Sequence, residues 1–357
     1  MSRALVFALL VLLSVSSLAS ADDGPPTLDS LLARQATPVG ASEAALGALV
    51  TAVQSHPGDA AATRALEASV SAGLPPRLPS AWLPTLPVDV SPLPYDLGTL
   101  VVPKAYLPTH ATEPQHGWGF AKVAYVYLPG EPARLLCAVH FPEAAGQPLA
   151  VRTAKLLALA HQTLVQRTGR EPENGAAPFD VWLCAGGRSG GEQWRSNLYL
   201  YDSQTPRPSI EWLREIVHEY SHLALPAIGG YTAPEYWANG YLGERLLVRW
   251  FMQPPDGPAR VEALWGDFSG AANFRRLLLA PPLALYARIG PSRAWLARRD
   301  DLGMRYLIGQ ALTFDDRFGA VRLGDAFARL PRFHRATASD FADALAEARA
   351  ANVRTGP

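Results

Sequence analysis

The stretch Ser209-Ile210-Glu211-Trp212-Leu213-Arg214-Glu215-Ile216-Val217-His218-Glu219-Tyr220-Ser221-His222-Leu223-Ala224-Leu225 decides how this chain is read. Pro208-Ser209 reads as a helix start with Ser209 as N-cap, and Leu213, Ile216, Val217 and Tyr220 recur at helical spacing to mark a buried face. Pro226 and Gly229-Gly230 stop the helix and turn the chain. On such a helix His218 and His222 stand four residues apart on one face, so both imidazoles can reach one ion. Glu219 lies one residue further round, placed to act on water as a general base rather than to bind the metal. The bland alternative, two histidines hydrogen-bonded in a core, needs a coincidence in a chain of 357 residues with only eight histidines.

A catalytic zinc site usually takes three protein ligands. No third histidine follows at metzincin spacing, because Leu225 and Ile228 stand where the glycine and histidine would fall. A carboxylate on the next helix, expected over Ala233–Met252, is the remaining source. Thr232-Ala233-Pro234-Glu235 reads as a capping box, which gives Glu235 a structural task. Glu244 has none: on a helical wheel it falls among Trp237, Tyr241, Val248 and Phe251, while Arg245 and Arg249 mark the exposed side. A carboxylate on an apolar face is costly unless it is paired or binds a metal. Glu244 is therefore the expected third ligand, with Asn239 or Glu235 as substitutes and a salt bridge to an arginine as its bland reading. Gly240 and Gly243 leave that side of the helix narrow enough for the histidine-bearing helix to approach.

On these residues the chain resembles the gluzincin metallopeptidases, in particular the aminopeptidase-like branch with a thermolysin-type catalytic domain. The likeness runs from about Val123 to the C-terminus and is strong at His218–His222. The family's Trp-x-Asn-Glu-Gly or Trp-x-Glu-Gly segment, whose Glu is the third ligand, stands here as Trp237-Ala238-Asn239-Gly240-Tyr241, so the Glu is either replaced by Asn239 or missing. By resemblance Tyr306, in Tyr306-Leu307-Ile308-Gly309, would hydrogen-bond the oxyanion, with Tyr231 as the substitute. Gly190-Gly191-Glu192-Gln193 stands where those enzymes hold the substrate amine, which implies that Glu192 binds substrate. Asn197–Tyr201 would then be the edge strand that pairs with a bound peptide.

Composition narrows the partners. Lys+Arg and Asp+Glu both number 32, so the formal net charge is zero, and only Lys104, Lys122 and Lys155 are lysines. That balance argues against nucleic acid and against a polybasic membrane patch. Hydrophobic residues make up 48%, enough for a sizeable core. Arg3, the apolar run Ala4–Leu13 and Ala19-Ser20-Ala21 read as a secretory signal over residues 1–21, which predicts an exported, periplasmic or extracellular protein. No later segment is long and apolar enough to span a membrane. Cys137 and Cys184, each in a strand-like run, could bridge in an oxidising compartment or lie free in the core.

Residues 22–73 are expected as an extension with two short helices, Ser42–Ser55 and Asp59–Ala72, broken at His56-Pro57-Gly58. The proline-rich stretch 74–95 reads as a linker or strap. From 96 onward, strands are expected at Leu97–Val102, Ala121–Leu128, Arg134–Phe141, Phe179–Cys184 and Asn197–Tyr201, with a helix at Ala150–Thr168. Nearly everything after Ser209 reads as helix. Strands first and helices afterwards predict an α+β, zincin-like domain over 96–357. The function expected is that of a zinc-dependent peptidase acting on peptide or protein substrates. The alternative is a degenerate zincin-like scaffold serving as a non-catalytic binding protein, or one whose N-terminal extension docks a partner.

Overall fold

The structure, a computed structural model, describes residues 43–103, 111–172, 178–187, 190–253, 256–266, 268, 270–330 and 336–351. The signal-like residues 1–21 and the stretch 22–42 lie outside them. The fold is α+β. Its centre is an eight-stranded mixed sheet in the order β2-β3-β6-β7-β8-β10-β9, with β1 pairing beside the start of β7. In chain order these strands are β1 Arg77–Leu78, β2 Val88–Pro92, β3 Thr99–Pro103, β6 Lys122–Leu128, β7 Ala133–Phe141, β8 Phe179–Leu183, β9 Gly190–Trp194 and β10 Asn197–Tyr201. β4 (Ala111–Thr112) and β5 (Gly119–Phe120) form a separate two-stranded hairpin. β7 and β8 run parallel, as do β8 and β10, while the other neighbours in the sheet are antiparallel.

β6 and β7 are nearly continuous runs of buried residues because both faces of the sheet are covered. On one face Val139, Val181, Leu183, Leu198 and Leu200 join the main core with α3 (Gln147–Thr168) and α4 (Ser209–Ala224). On the other, Val101, Val123, Tyr125, Tyr127 and Ala138 pack against an N-terminal helical pair, α1 (Glu43–Ser55) and α2 (Ala60–Ala72). Asp59 caps α2 by accepting from the N–H groups of Ala61 and Ala62. A small aromatic cluster of Phe120, Trp182, Cys184 and Tyr199 covers the rest of that second face.

The proline-rich stretch 74–95 is built into the sheet. Its prolines leave room for two strands, and β2 pairs over its whole length with β3 as the edge of the sheet, where proline costs least. The helical pair likewise closes a core rather than hanging from one. Leu46, Leu49, Val50, Leu66 and Val70 are buried there, and each such side chain contributes about 1.5–3 kcal/mol. Together they rival the whole net stability of a typical domain, about 5–15 kcal/mol. Deleting residues 43–72 is therefore expected to abolish cooperative thermal unfolding and cause aggregation, seen by circular dichroism and size-exclusion chromatography. A soluble monomer with an unchanged melting temperature would contradict this.

The helical half follows: α5 (Asn239–Phe251), α6 (Gly257–Trp265), α7 (Ala280–Ile289), α8 (Asp301–Phe318), α9 (Ala320–Phe327) and α10 (Ala338–Ala350). Among the described residues no helix is long and apolar enough to cross a membrane. Cys137 and Cys184 are free and buried in different clusters, so no bridge forms between them, and burial pushes the Cys184 thiol up to about 12.

Candidate metal centre

α4 begins at Ser209, with Pro208 rather than Ser209 in the capping position and no side-chain cap. The helix is held from behind, because Tyr220 sits in the core with its hydroxyl 3.1 Å from Nδ1 of His161 on α3. Burial lowers the His161 pKa to about 4, which keeps that ring neutral. α5 packs across α4 at two glycines. A β-carbon on Gly243 would strike the Ser221 side chain, and one on Gly240 would run into Nε2 of both His218 and His222. The close approach expected from these glycines is what the structure shows.

The two imidazoles converge. Their Nε2 atoms stand 3.3 Å apart, and a Glu235 carboxylate oxygen lies 3.3 Å from Nε2 of His218, the other 3.6 Å from Nε2 of His222. His218, His222 and Glu235 thus form a group that can hold a metal ion. The other ring nitrogens face away and are engaged. Nδ1 of His222 is 3.1 Å from Oδ1 of Asn239, and Nδ1 of His218 is 3.4 Å from Oε2 of Glu244. When both Nδ1 atoms donate, both Nε2 lone pairs face the same point, the arrangement by which outer residues orient metal-binding histidines.

Glu235, not Glu244, therefore completes the group that can hold a metal ion. The expected helix from Ala233 does not form: α5 starts at Asn239, and the preceding segment folds back as a hairpin-like loop. Gly229 pairs with Trp237, the Ala238 N–H donates to the Ile228 carbonyl, and the Tyr231 N–H donates to the Tyr236 carbonyl. With no helix start there, Glu235 has no capping role and turns to the imidazoles. The loop is tied to the C-terminal half, since the Thr232 N–H and hydroxyl both donate to the Arg299 carbonyl and Arg299 Nη1 donates to the Gly230 carbonyl.

Glu244 is 2 % exposed and sits behind His218. Its Oε1 accepts from Arg214 Nε at 2.6 Å and its Oε2 from Arg245 Nη1 at 2.8 Å. The salt-bridge reading of Glu244 holds, and its carboxylate stands outside the group that can hold an ion. Burial opposes its charge, but the neighbouring arginines and His218 hold it well below the usual carboxylate range. Asn239 stands outside that group too: its Oδ1 faces Nδ1 of His222 and its Nδ2 donates to the Ser221, His222 and Leu225 carbonyls.

Glu219 is buried against the edge strand β9. A β-carbon on Gly191 would meet the Glu219 side chain, so the backbone there passes directly over the carboxylate. Burial raises Glu219 to about 7, although both histidines pull it the other way. β9 is the strand whose sequence hid it: Gly190-Gly191 has low strand propensity and reads as loop. Its presence moves Asn197–Tyr201 inside the sheet, between β8 and β9, so that segment is not an edge.

Two further expectations fail on geometry. Glu192 pairs in register with Tyr199 on the face of the aromatic cluster, whereas Gly191 pairs with Leu200 on the face of α4. Its carboxylate accepts from the Tyr201 hydroxyl at 3.0 Å and from Gln115 Nε2 at 3.0 Å, away from the imidazoles. Tyr306 is fully buried, its hydroxyl accepting from the Ser292 N–H and donating to the Gly290 carbonyl, so it has no proton left for a substrate. Tyr231 is buried too, and its hydroxyl has no hydrogen-bond partner among the described residues.

The field at the site favours a cation. Burial opposes a charged His218, but Glu235 and Glu244 overcome it and raise the ring to about 10. Below that pH the metal-free site holds a proton at His218 that an incoming ion must expel. Metal affinity is therefore expected to tighten by about tenfold per pH unit between pH 6 and 8, with about one proton released per ion in calorimetry across buffers. An affinity flat with pH would refute this. Gly240 gives a second test: Gly240→Ala should leave the fold intact by circular dichroism yet weaken zinc binding at least about tenfold, because its methyl occupies the space between the two Nε2 atoms.

No known protein-family model matches this chain, and no curated protein matches it.

Proposed function

We propose that the chain is a zinc-dependent hydrolase of zincin type acting on peptide bonds. The observation that carries this reading is the convergence of His218 Nε2, His222 Nε2 and the Glu235 carboxylate at 3.3–3.6 Å beside the buried Glu219. Donors about 2.0–2.1 Å from a tetrahedral ion stand roughly 3.3–3.4 Å apart, so these separations suit zinc without rearrangement. Two neutral imidazoles and one carboxylate are also a donor set that zinc accepts in hydrolases. When bound there, zinc would polarise a carbonyl and make a water acidic near neutral pH.

Glu219 takes the proton of the attacking water and returns it to the leaving amine, and its raised pKa suits both tasks at neutral pH. β9 pairs only with β10 among the described strands, so its other side offers an extended peptide a row of backbone donors and acceptors directly over Glu219. Export is part of the reading and rests on residues 1–21, so N-terminal sequencing of the secreted protein should begin near Asp22. The test of function is elemental analysis together with hydrolysis of a mixed-sequence peptide pool. About one zinc per chain with chelator-sensitive cleavage supports the reading. No zinc retained after loading overturns it in favour of a non-catalytic scaffold.

A further inference from the structure

Two arginines neutralise Glu244, and they differ in what remains available. Arg245 is spent: Nη1 donates to Glu244 and to the Tyr241 carbonyl, the guanidinium lies over the Tyr241 ring at 4.7 Å, and the side chain is 11 % exposed. Arg214 is anchored at one end only. Its Nε donates to Glu244 at 2.6 Å, its side chain is 32 % exposed, and its two terminal nitrogens make no hydrogen bond or ion pair among the described residues. Glu244 is shared between two guanidinium groups, so the terminal fork of Arg214 has no carboxylate of its own among the described residues.

We infer that Arg214 binds a carboxylate of the substrate on the flank of His218, making the protein selective for peptides that carry an anion next to the bond cut. This rests on the peptidase reading and deepens it. Arg214 precedes His218 by four residues, one turn of α4 and about 6 Å of rise on the same face. One or two extended residues of a peptide span that distance. Arginine matches a carboxylate through two parallel N–H donors, and Nε held by Glu244 fixes the fork before substrate arrives. Glu192, the acidic group expected to receive a substrate amine, points to the other face of the sheet. The carboxylate has two sources, the C-terminus of the substrate or an Asp or Glu side chain.

Both sources are separable with N-acetylated tetrapeptide pools of mixed sequence, prepared as C-terminal acids or amides, with and without Asp and Glu. Binding is measured by equilibrium dialysis to the zinc-loaded Glu219→Gln protein, which needs no turnover, and cleavage is followed with wild type. A preference of tenfold or more for the acid pools places the C-terminal carboxylate on Arg214. The same preference for amide pools containing Asp or Glu places a side chain there. In either case Arg214→Gln should erase the preference while keeping zinc content and the affinity for uncharged amide pools. Equal binding of all pools by the Arg214-containing protein overturns the inference and needs no variant to do so, as does a preference that survives Arg214→Gln. Selective binding without any cleavage by wild type keeps the inference and sinks the peptidase reading instead.

Discussion

Replacing Glu235 with Ala should strip the site of its ion, whereas replacing Glu244 with Gln should weaken it and leave it loaded at saturating zinc. The contrast follows from which nitrogen each carboxylate faces. Glu235 reaches Nε2 of both histidines, while Glu244 meets only Nδ1 of His218. Changing a group that orients a ligand histidine typically costs 10–100-fold in affinity, so Glu244→Gln is expected in that range. Loss of a direct donor must cost more, and a fall beyond about a hundredfold is expected for Glu235→Ala. Zinc content after dialysis against a graded chelator series reads both. Gln at 244 keeps the side-chain shape and an acceptor for Arg214, which limits damage to the fold, whereas Ala would strand the buried Arg245 and take the anchor from Arg214. If Glu235→Ala retains zinc and Glu244→Gln loses it, the ligand assignment is reversed.

The histidine helix was legible because its information is local. Four-residue spacing puts His218 and His222 on one face whatever surrounds them, and Pro226 with Gly229-Gly230 ends the helix without help. The α+β order of strands then helices was equally local. The third donor was not legible, because the choice between Glu235 and Glu244 depends on where α5 begins. Thr232, Pro234 and Glu235 satisfy a capping pattern, yet the pairing of Gly229 with Trp237 and the clamp from Arg299, 67 residues after Thr232, win the segment for a loop. Two features of the sequence favour the loop: Gly229-Gly230 before the segment, and Asn239-Gly240, poor helix formers, within the span that the capping pattern assigns to helix. Glu192 failed for a related reason. Alternation within a strand sends neighbours to opposite faces, so reading Gly190–Gln193 as a loop discards the information that Gly191, not Glu192, faces α4. The N-terminal helices are legible as elements, but nothing local says that the sheet needs them to cover its second face.

Glu219→Gln is expected to keep the ion and lose the chemistry. Glu219 offers no atom to the converging Nε2 group, so its amide counterpart leaves the donor set of His218, His222 and Glu235 unchanged. The substitution nearly conserves volume in a buried position under Gly191, where a larger side chain would meet the backbone of β9. It also removes a carboxylate that burial already penalises, so the melting temperature should hold or rise slightly. What it removes is the group that accepts a proton from water, and general-base catalysis of this kind contributes about 10²–10⁴-fold. A fall in kcat of that size at an unchanged zinc stoichiometry is the expected result, measured on whichever peptide the pools identify. The wild-type rate should also drop as Glu219 is protonated toward acidic pH, and the Gln variant should lose that limb of the profile. Undiminished turnover in the variant would assign the base to another residue. Lost zinc would mean that Glu219 holds the two imidazoles in place, and that its carboxylate is structural.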